Sequence, residues 1–407
     1  MRDGPAQALK FPPPILKSRK AGIRTQETAK CYTPSTWKEF WDEKKQVKLA
    51  DDRGSVTVYV KGTQGPVIFL LHGAGYSGLT WSCFAKELSG IADDCRIVAP
   101  DLRGHGTSVF QDETDLSADS LTADIRDCFT ALFPTHNNDT QPPVILIGHS
   151  MGGALAVHTA AKNYIPPLVA LIVIDVVEGS ALEALKSMQM VLSCRPTSFS
   201  SIEEAIKWSV RSGQTKNVES ARISMTSQVV PCETMAVDSS SGRQAGSCSL
   251  PARATGLSEI EETYDDQEEN EKEDNPVYEN NSISQDEMQS EAPAIDKTAS
   301  SQTTIYRWRT NLSATEPHWY GWFQNLSSIF LSIPVPKLLV LAGVDRLDKI
   351  LTIGQMQGKF QMIVLPKVGH AVQEDDPVRL AETVISFAAR NKLLTARGDF
   401  KPVYPGC

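Results

Sequence analysis

The sequence predicts an α/β fold: a mostly parallel central sheet with helices on both faces and a helical cap. Three observations carry that prediction. The runs 67-VIFLL-71, 144-VILIG-148, 168-LVALIVI-174 and 337-KLLVL-341 are nearly continuous in apolar residues, as strands covered on both faces must be. Helix-period segments separate them, clearest at Leu121, Ile125, Phe129 and Leu132. Finally, the loops HGAG, RGHG, GHSMG, DVVEG, GVDRLD and GH all follow strand runs, at the carboxyl ends where such sheets collect ligands.

Taken in order, residues 1–33 form an expected disordered arm, with Pro12, Pro13, Pro14 and the basic patch 17-KSRK-20. The first part of the core spans 34–182. Trp37, Phe40 and Trp41, at helical spacing behind Ser35 in 34-PSTWKEFWDEK-44, predict a short amphipathic helix. An edge strand at 55–60, a strand at 67–71, a helix near 80–89, a strand from 96 and a helix through Leu121–Leu132 follow. Strands at 143–148 and 168–175 flank a small-residue helix after Ser150. Residues 183–237 read as a helical cap and 304–393 as the rest of cap and core, with strands at 337–343 and 360–366. Within 304–330, Trp308, Trp319, Trp322 and Phe323 either pack the cap or line a pocket. Residues 394–407 read as a tail.

Charge separates one segment from the rest. The chain carries −9 in 407 residues, yet Glu259 to Glu291 alone holds 14 acidic residues against Lys272, leaving +4 elsewhere. Residues 238–303 are polar and poor in large apolar side chains, so they read as an acidic disordered insert. Its sign excludes nucleic-acid binding. Eight cysteines without CxxC pairs and no leader-like apolar start predict reduced thiols in the cytoplasm, with a nuclear option from KSRK. No apolar stretch approaches the ~18 residues a membrane span needs.

The stretch 144-VILIGHSMGGALAV-157 carries chemistry. A serine that attacks a carbonyl stands at a strained strand-to-helix turn, where glycines two before and two after prevent collisions. Gly148-His149-Ser150-Met151-Gly152 has that form behind a buried strand, making Ser150 the expected nucleophile of an alpha/beta-hydrolase fold. Its base should lie near the chain's end, after the acid. His370 follows strand 363-IVLP-366 and precedes a helix at Asp376-Pro377, and is the expected base. His318 reads as packing or surface; His72, His105 and His149 as local hydrogen-bonders; His158 as structural. Position leaves the acid open between Asp175 and Asp345, leaning to Asp345, with Asp348 nearby. The oxyanion donors should be the backbone N–H groups of Met151 and Ala74. No metal cluster, P-loop or G-x-G-x-x-G is present, so no cofactor or metal is expected.

The stretches LLHGAGYSGLTW, LIGHSMGGALAVHTA, VIDVVEGSALEAL and KLLVLAGVDRLDKILTIGQMQGKFQMIVLPKVGHAV resemble the protein phosphatase methylesterases. The resemblance extends over most of 34–235 and 304–393, and TIGQMQGKFQM lies outside any general catalytic pattern. It implies a serine carboxylesterase that demethylates the C-terminal leucine of the type 2A protein phosphatase catalytic subunit. It also implies that Asp175, in IDVVEG, is the acid. Where the family has HGGG this chain has HGAG, which keeps the backbone donor. The free chain is expected to be a monomer whose partner is that phosphatase, and Arg307 and Arg309 are candidates to hold its acidic groups. Two rival functions are a general small-molecule carboxylesterase and a phosphatase-binding inhibitor that acts without catalysis.

Overall fold

Strands β1 (Glu43–Lys48), β2 (Gly54–Lys61) and β3 (Val67–Leu71) begin the sheet, followed by α1 (Ser82–Ile91), β4 (Arg96–Pro100), β5 (Val109–Phe110) and α2 (Ala118–Leu132). Then come β6 (Val144–His149), α3 (Met151–Ala161) and β7 (Leu168–Ile174). The cap holds α4 (Glu178–Ser193), α5 (Ile202–Arg211), α6 (Val218–Gln228), β8 (Val229–Cys232), β9 (Ile305–Trp308), α7 (Glu316–Phe323) and α8 (Leu326–Ser332). The chain returns through β10 (Lys337–Leu341), α9 (Lys349–Met356), β11 (Gln361–Val364), α10 (Val372–Asp375) and α11 (Pro377–Arg390). This computed structural model describes residues 31–135, 140–232, 304–343, 347–398 and 400–401. The chain divides into Met1–Cys31, of which only Cys31 is described, and the unit Tyr32–Cys407 considered below.

The strands run in the order β1-β2-β4-β3-β6-β7-β10-β11, with β5 paired to β2. All pairings from β4 to β11 are parallel, whereas β1, β4 and β5 meet β2 antiparallel. Successive side chains of a strand point to opposite faces, so each apolar run feeds two cores. Phe69, Leu71, Leu146 and Val173 join α2, α3 and the cap helices α7 and α8 on one face. Ile68, Leu70, Ile147 and Ile172 join α1 and α11 on the other. The sheet between them presents its strand ends, and the loops there, to the cap.

Four expectations change. The helix expected at 34–44 is a single 3-10 turn, Trp37–Glu39, and 43–48 is the edge strand β1. Only Val47 of β1 is buried, and its Glu and Lys residues give a charged edge that resists pairing with other chains. Phe40 and Trp41 are nevertheless core residues: Trp41 Nε1 donates to Ser82 Oγ at 2.9 Å and its ring meets Tyr59. The cap is not wholly helical, because β8 and β9 pair antiparallel, from Val229 with Trp308 to Cys232 with Ile305. Helix α9 had no counterpart in the sequence reading. Part of the expected tail is docked: Ala396 bridges Ala92, and Arg397 N–H donates to Ile91 O at 2.8 Å. The acidic insert and the N-terminal basic patch lie outside the described residues, as does Asp345. Among the described residues no helix is long and apolar enough to cross a membrane.

Candidate active site

The turn between β6 and α3 holds Ser150 at φ 53° and ψ −121°, a region that costs an L-residue about 1–3 kcal/mol. Surrounding contacts force it. A Cβ on Gly148 would lie 2.1 Å from Gly152 O, and one on Gly152 would lie 2.4 Å from Leu71 O. Only glycine admits this approach of turn, helix and β3, while Ser150 N–H donates to Ile174 O at 2.9 Å and ties the turn to β7.

Three side chains from three strand ends converge there. Asp175, just past β7, is also at positive φ (51°). Its Oδ1 accepts the Ala342 N–H at 2.8 Å, and its Oδ2 lies 2.7 Å from His370 Nδ1. A carboxylate can only accept, so Nδ1 carries the proton and Nε2 is left as the acceptor for Ser150 Oγ–H, 3.0 Å away. Burial works against the Asp175 charge, but the bonds from His370 and from Ala342 N–H outweigh it and hold the carboxyl below its usual range. His370 is half exposed and Asp175 nearly covered. Such a series can draw a proton from the serine and stabilise the imidazolium that forms.

The expected oxyanion donors flank the same serine. Met151 opens α3, so its N–H has no acceptor within the helix. Ala74 is half-buried in the loop after β3, beside Gly73, whose added Cβ would sit 3.2 Å from Ser150 Cβ. Two buried histidines shape that loop through the backbone. His72 Nδ1 donates to Gly73 O and its Nε2 accepts from Leu102 N–H; His105 Nδ1 donates to Arg103 O and its Nε2 accepts from Gly75 N–H. Burial keeps both neutral, His105 with a pKa down to about 4. His158 meets Trp322 O from α3, and His318 meets Thr114 O at the surface.

The cap aromatics divide. Trp319, Trp322 and Phe323 are buried against α2 and α3, with Trp322 Nε1 donating to Leu116 O and Trp319 Nε1 to Thr315 Oγ1. Trp308 instead packs with Trp208 and Phe199. Of the two arginines proposed for a partner's acidic groups, Arg309 is already engaged: it donates to Gly106 O, Ser108 O and Glu113. Arg307 is exposed.

A buried polar series beneath His370 had no signal in the sequence, because Gln373, Glu374 and Asp375 read there as an ordinary lead into a helix. His149 Nε2 donates to His370 O at 2.8 Å, and Gln373 Nε2 bonds both His149 Nδ1 and Thr80 Oγ1. Thr80 Oγ1 in turn donates to Glu374 at 2.6 Å. Asp375 accepts from Gly369 N–H and from Lys216 N–H of the cap, so the base's loop is held from both sides. Burial pushes Glu374 up to about 8 and His149 down to about 3. For Glu374 the folded state keeps its proton while the unfolded chain, at about 4.5, has lost it. Fold stability should therefore fall as pH rises between those values. Glu374→Gln, which cannot ionise, is expected to flatten that decline, read by chemical denaturation across pH 4.5–8.

A family model described as the alpha/beta hydrolase family matches residues 68–383. Protein phosphatase methylesterase 1 of Mus musculus is 45% identical over 378 residues, covering 92% of this chain and 90% of the relative. The chain belongs to the protein phosphatase methylesterase family. Methylesterase similarity extends to Homo sapiens, at 44% over the same shares, and to Schizosaccharomyces pombe, at 32% over 88% of this chain and 86% of the relative. Among solved structures, an E-2-(acetamidomethylene)succinate hydrolase aligns with TM-score 0.57 at 18% identity over 85% of this chain and 99% of that one, a likeness of fold. Thus the methylesterase family and its alpha/beta hydrolase fold are both present in this chain.

Proposed function

We propose that this chain is a serine carboxylesterase that removes the methyl ester from the C-terminal leucine of the type 2A protein phosphatase catalytic subunit. The observation that carries the reading is the series Ser150–His370–Asp175 at 3.0 and 2.7 Å, in a chain 45% identical to a named protein phosphatase methylesterase. In this mechanism Ser150 Oγ attacks the ester carbonyl as its proton passes to His370 Nε2. The N–H groups of Met151 and Ala74 receive the oxyanion. Collapse of the tetrahedral intermediate expels the methoxy group, which takes the proton from His370 and leaves as methanol. Water, deprotonated by the same nitrogen, then attacks the acyl-serine, and the free leucine carboxylate departs with Ser150 restored. Asp175 keeps the proton of His370 on Nδ1 throughout and balances the imidazolium charge.

The test is loss of methyl from carboxyl-methylated type 2A phosphatase, measured beside a simple ester. Methanol release matching methyl loss, with kcat/KM above that for the simple ester, is the expected result. Turnover of the simple ester alone would leave a general carboxylesterase; binding of the phosphatase with no methyl loss would leave an inhibitor.

A further inference from the structure

Arg195, a cation in the cap, has no part in the proposed chemistry. Arg195 follows the end of α4, and its guanidinium carbon lies 3.6 Å from the centroid of the Trp308 ring, with Trp208 at 5.9 Å. The two rings stand edge to face, 5.3 Å apart, and Phe199 packs on both. Trp308 Nε1 donates to Pro196 O at 2.7 Å, and a bridge between Phe199 and Tyr306 locks the same strand. The stack is therefore built by three separate cap segments, and it holds the guanidinium against the Trp308 ring.

What the stack does not provide is an anion. Among the described residues Arg195 makes no ion pair and no side-chain hydrogen bond, and its nitrogens are not among the sealed, unpartnered atoms. They consequently face accessible space. Burial pulls its pKa down to about 10, and the titratable group that acts on it is Tyr76, a phenol that burial keeps neutral. A half-buried cation of this kind is costly until it is paired, and a tryptophan face offsets only part of that cost.

Its location ties it to the candidate active site. Tyr76 belongs to the same loop as Ala74, its ring is 5.7 Å from that of His149, and its phenol lies within electrostatic reach of both Arg195 and Asp175. The loop also abuts the cap segment that follows Trp308: a Cβ on Gly75 would lie 2.9 Å from Leu312 Cδ1. We infer that Arg195 is a carboxylate-binding subsite on the cap side of the site, taking an acidic side chain of the substrate segment that precedes the esterified leucine. The inference rests on the ester reading above, in which the terminus itself arrives neutral, so that an anion meeting this cation comes from upstream. A planar fork held against a ring is suited to bidentate capture of a carboxylate.

The test uses the full chain and C-terminal leucine methyl-ester peptides that carry Asp at one preceding position, each paired with its Asn counterpart. At one of these positions the unsubstituted enzyme should favour Asp by about 10- to 100-fold in kcat/KM, the range of a charged hydrogen bond, and the preference should shrink as salt is added. Arg195→Gln should bring that ratio close to one, and Arg195→Lys should keep part of it. The ratio is its own control, because a damaged fold slows both peptides alike. An equal loss for Asp and Asn peptides, or no Asp preference at any position in a working enzyme, would overturn the subsite. Relief of inhibition by the free-leucine product, with the Asp preference intact in Arg195→Gln, would place the terminal carboxylate there and overturn the upstream assignment. No turnover of any peptide ester by the unsubstituted enzyme would overturn the ester reading, and the subsite with it.

Discussion

Ser150→Ala is expected to lower kcat for ester hydrolysis by about 10⁵–10⁶-fold, the scale on which serine hydrolases respond to loss of the nucleophile. Ser150 Oγ is the hydroxyl that stands 3.0 Å from His370 Nε2. The variant should nonetheless fold. Alanine bears the φ of 53° as serine does, the Ser150 N–H bond to Ile174 O belongs to the backbone, and the glycines that admit the turn are unchanged. Phosphatase binding should consequently survive. Single-turnover methyl release and calorimetric binding, measured on the same preparation, separate the two; residual activity above about 1% of the original would remove Ser150 from the role of nucleophile.

Asp175→Asn should be the second largest loss, about 10⁴-fold in kcat, and the geometry gives the reason. The Ala342 N–H donates to Oδ1 at 2.8 Å, so the amide oxygen of asparagine is held there and its NH₂ is turned toward His370. An amide NH₂ donates. His370 Nδ1 must then accept, the imidazole proton moves to Nε2, and that nitrogen can no longer take a proton from Ser150. Asp345→Asn, by contrast, should change kcat by no more than a few-fold. Steady-state kinetics of both variants decides between the two aspartates; the reverse ranking would make Asp345 the acid.

The parts of this chain that were readable are those in which one physical requirement dominates a run of residues. Strands β3, β6, β7 and β10 are buried on both faces and spell it out in nearly continuous apolar runs dominated by Val, Ile and Leu. Strand β1 has one buried residue, so it carries no such pattern, and the adjacent Trp37, Phe40 and Trp41 mimic a helix although Trp41 is held in the core by its contacts to Ser82 and Tyr59. Hairpin β8–β9 joins residues far apart in the chain, and its four-residue strands are too short for an alternation to show. The same division holds at the site. Ser150 and His370 stand in local motifs. The acid does not: strand-end position favoured Asp345, and the family resemblance moved the choice to Asp175, which the structure brings to His370 Nδ1. Glu374, Gln373 and Arg195 owe their surroundings to segments up to hundreds of residues away, Thr80 for the first two and Trp308 for the third, so no local pattern marks them.

The hairpin between β8 and β9 also governs how this chain can change length. Cys232 and Ile305 are ladder partners, so whatever joins them leaves and re-enters the cap at neighbouring points. For a flexible connection, each doubling of length adds only about 0.6 kcal/mol of closure entropy. Sequence can therefore be gained, lost or rewritten at this one junction with the neighbouring pairs, and the cap they support, left in register. Natural variation in the family's size should concentrate there, and a tag or reporter domain spliced at the same point has the best chance of being carried without disturbing the site.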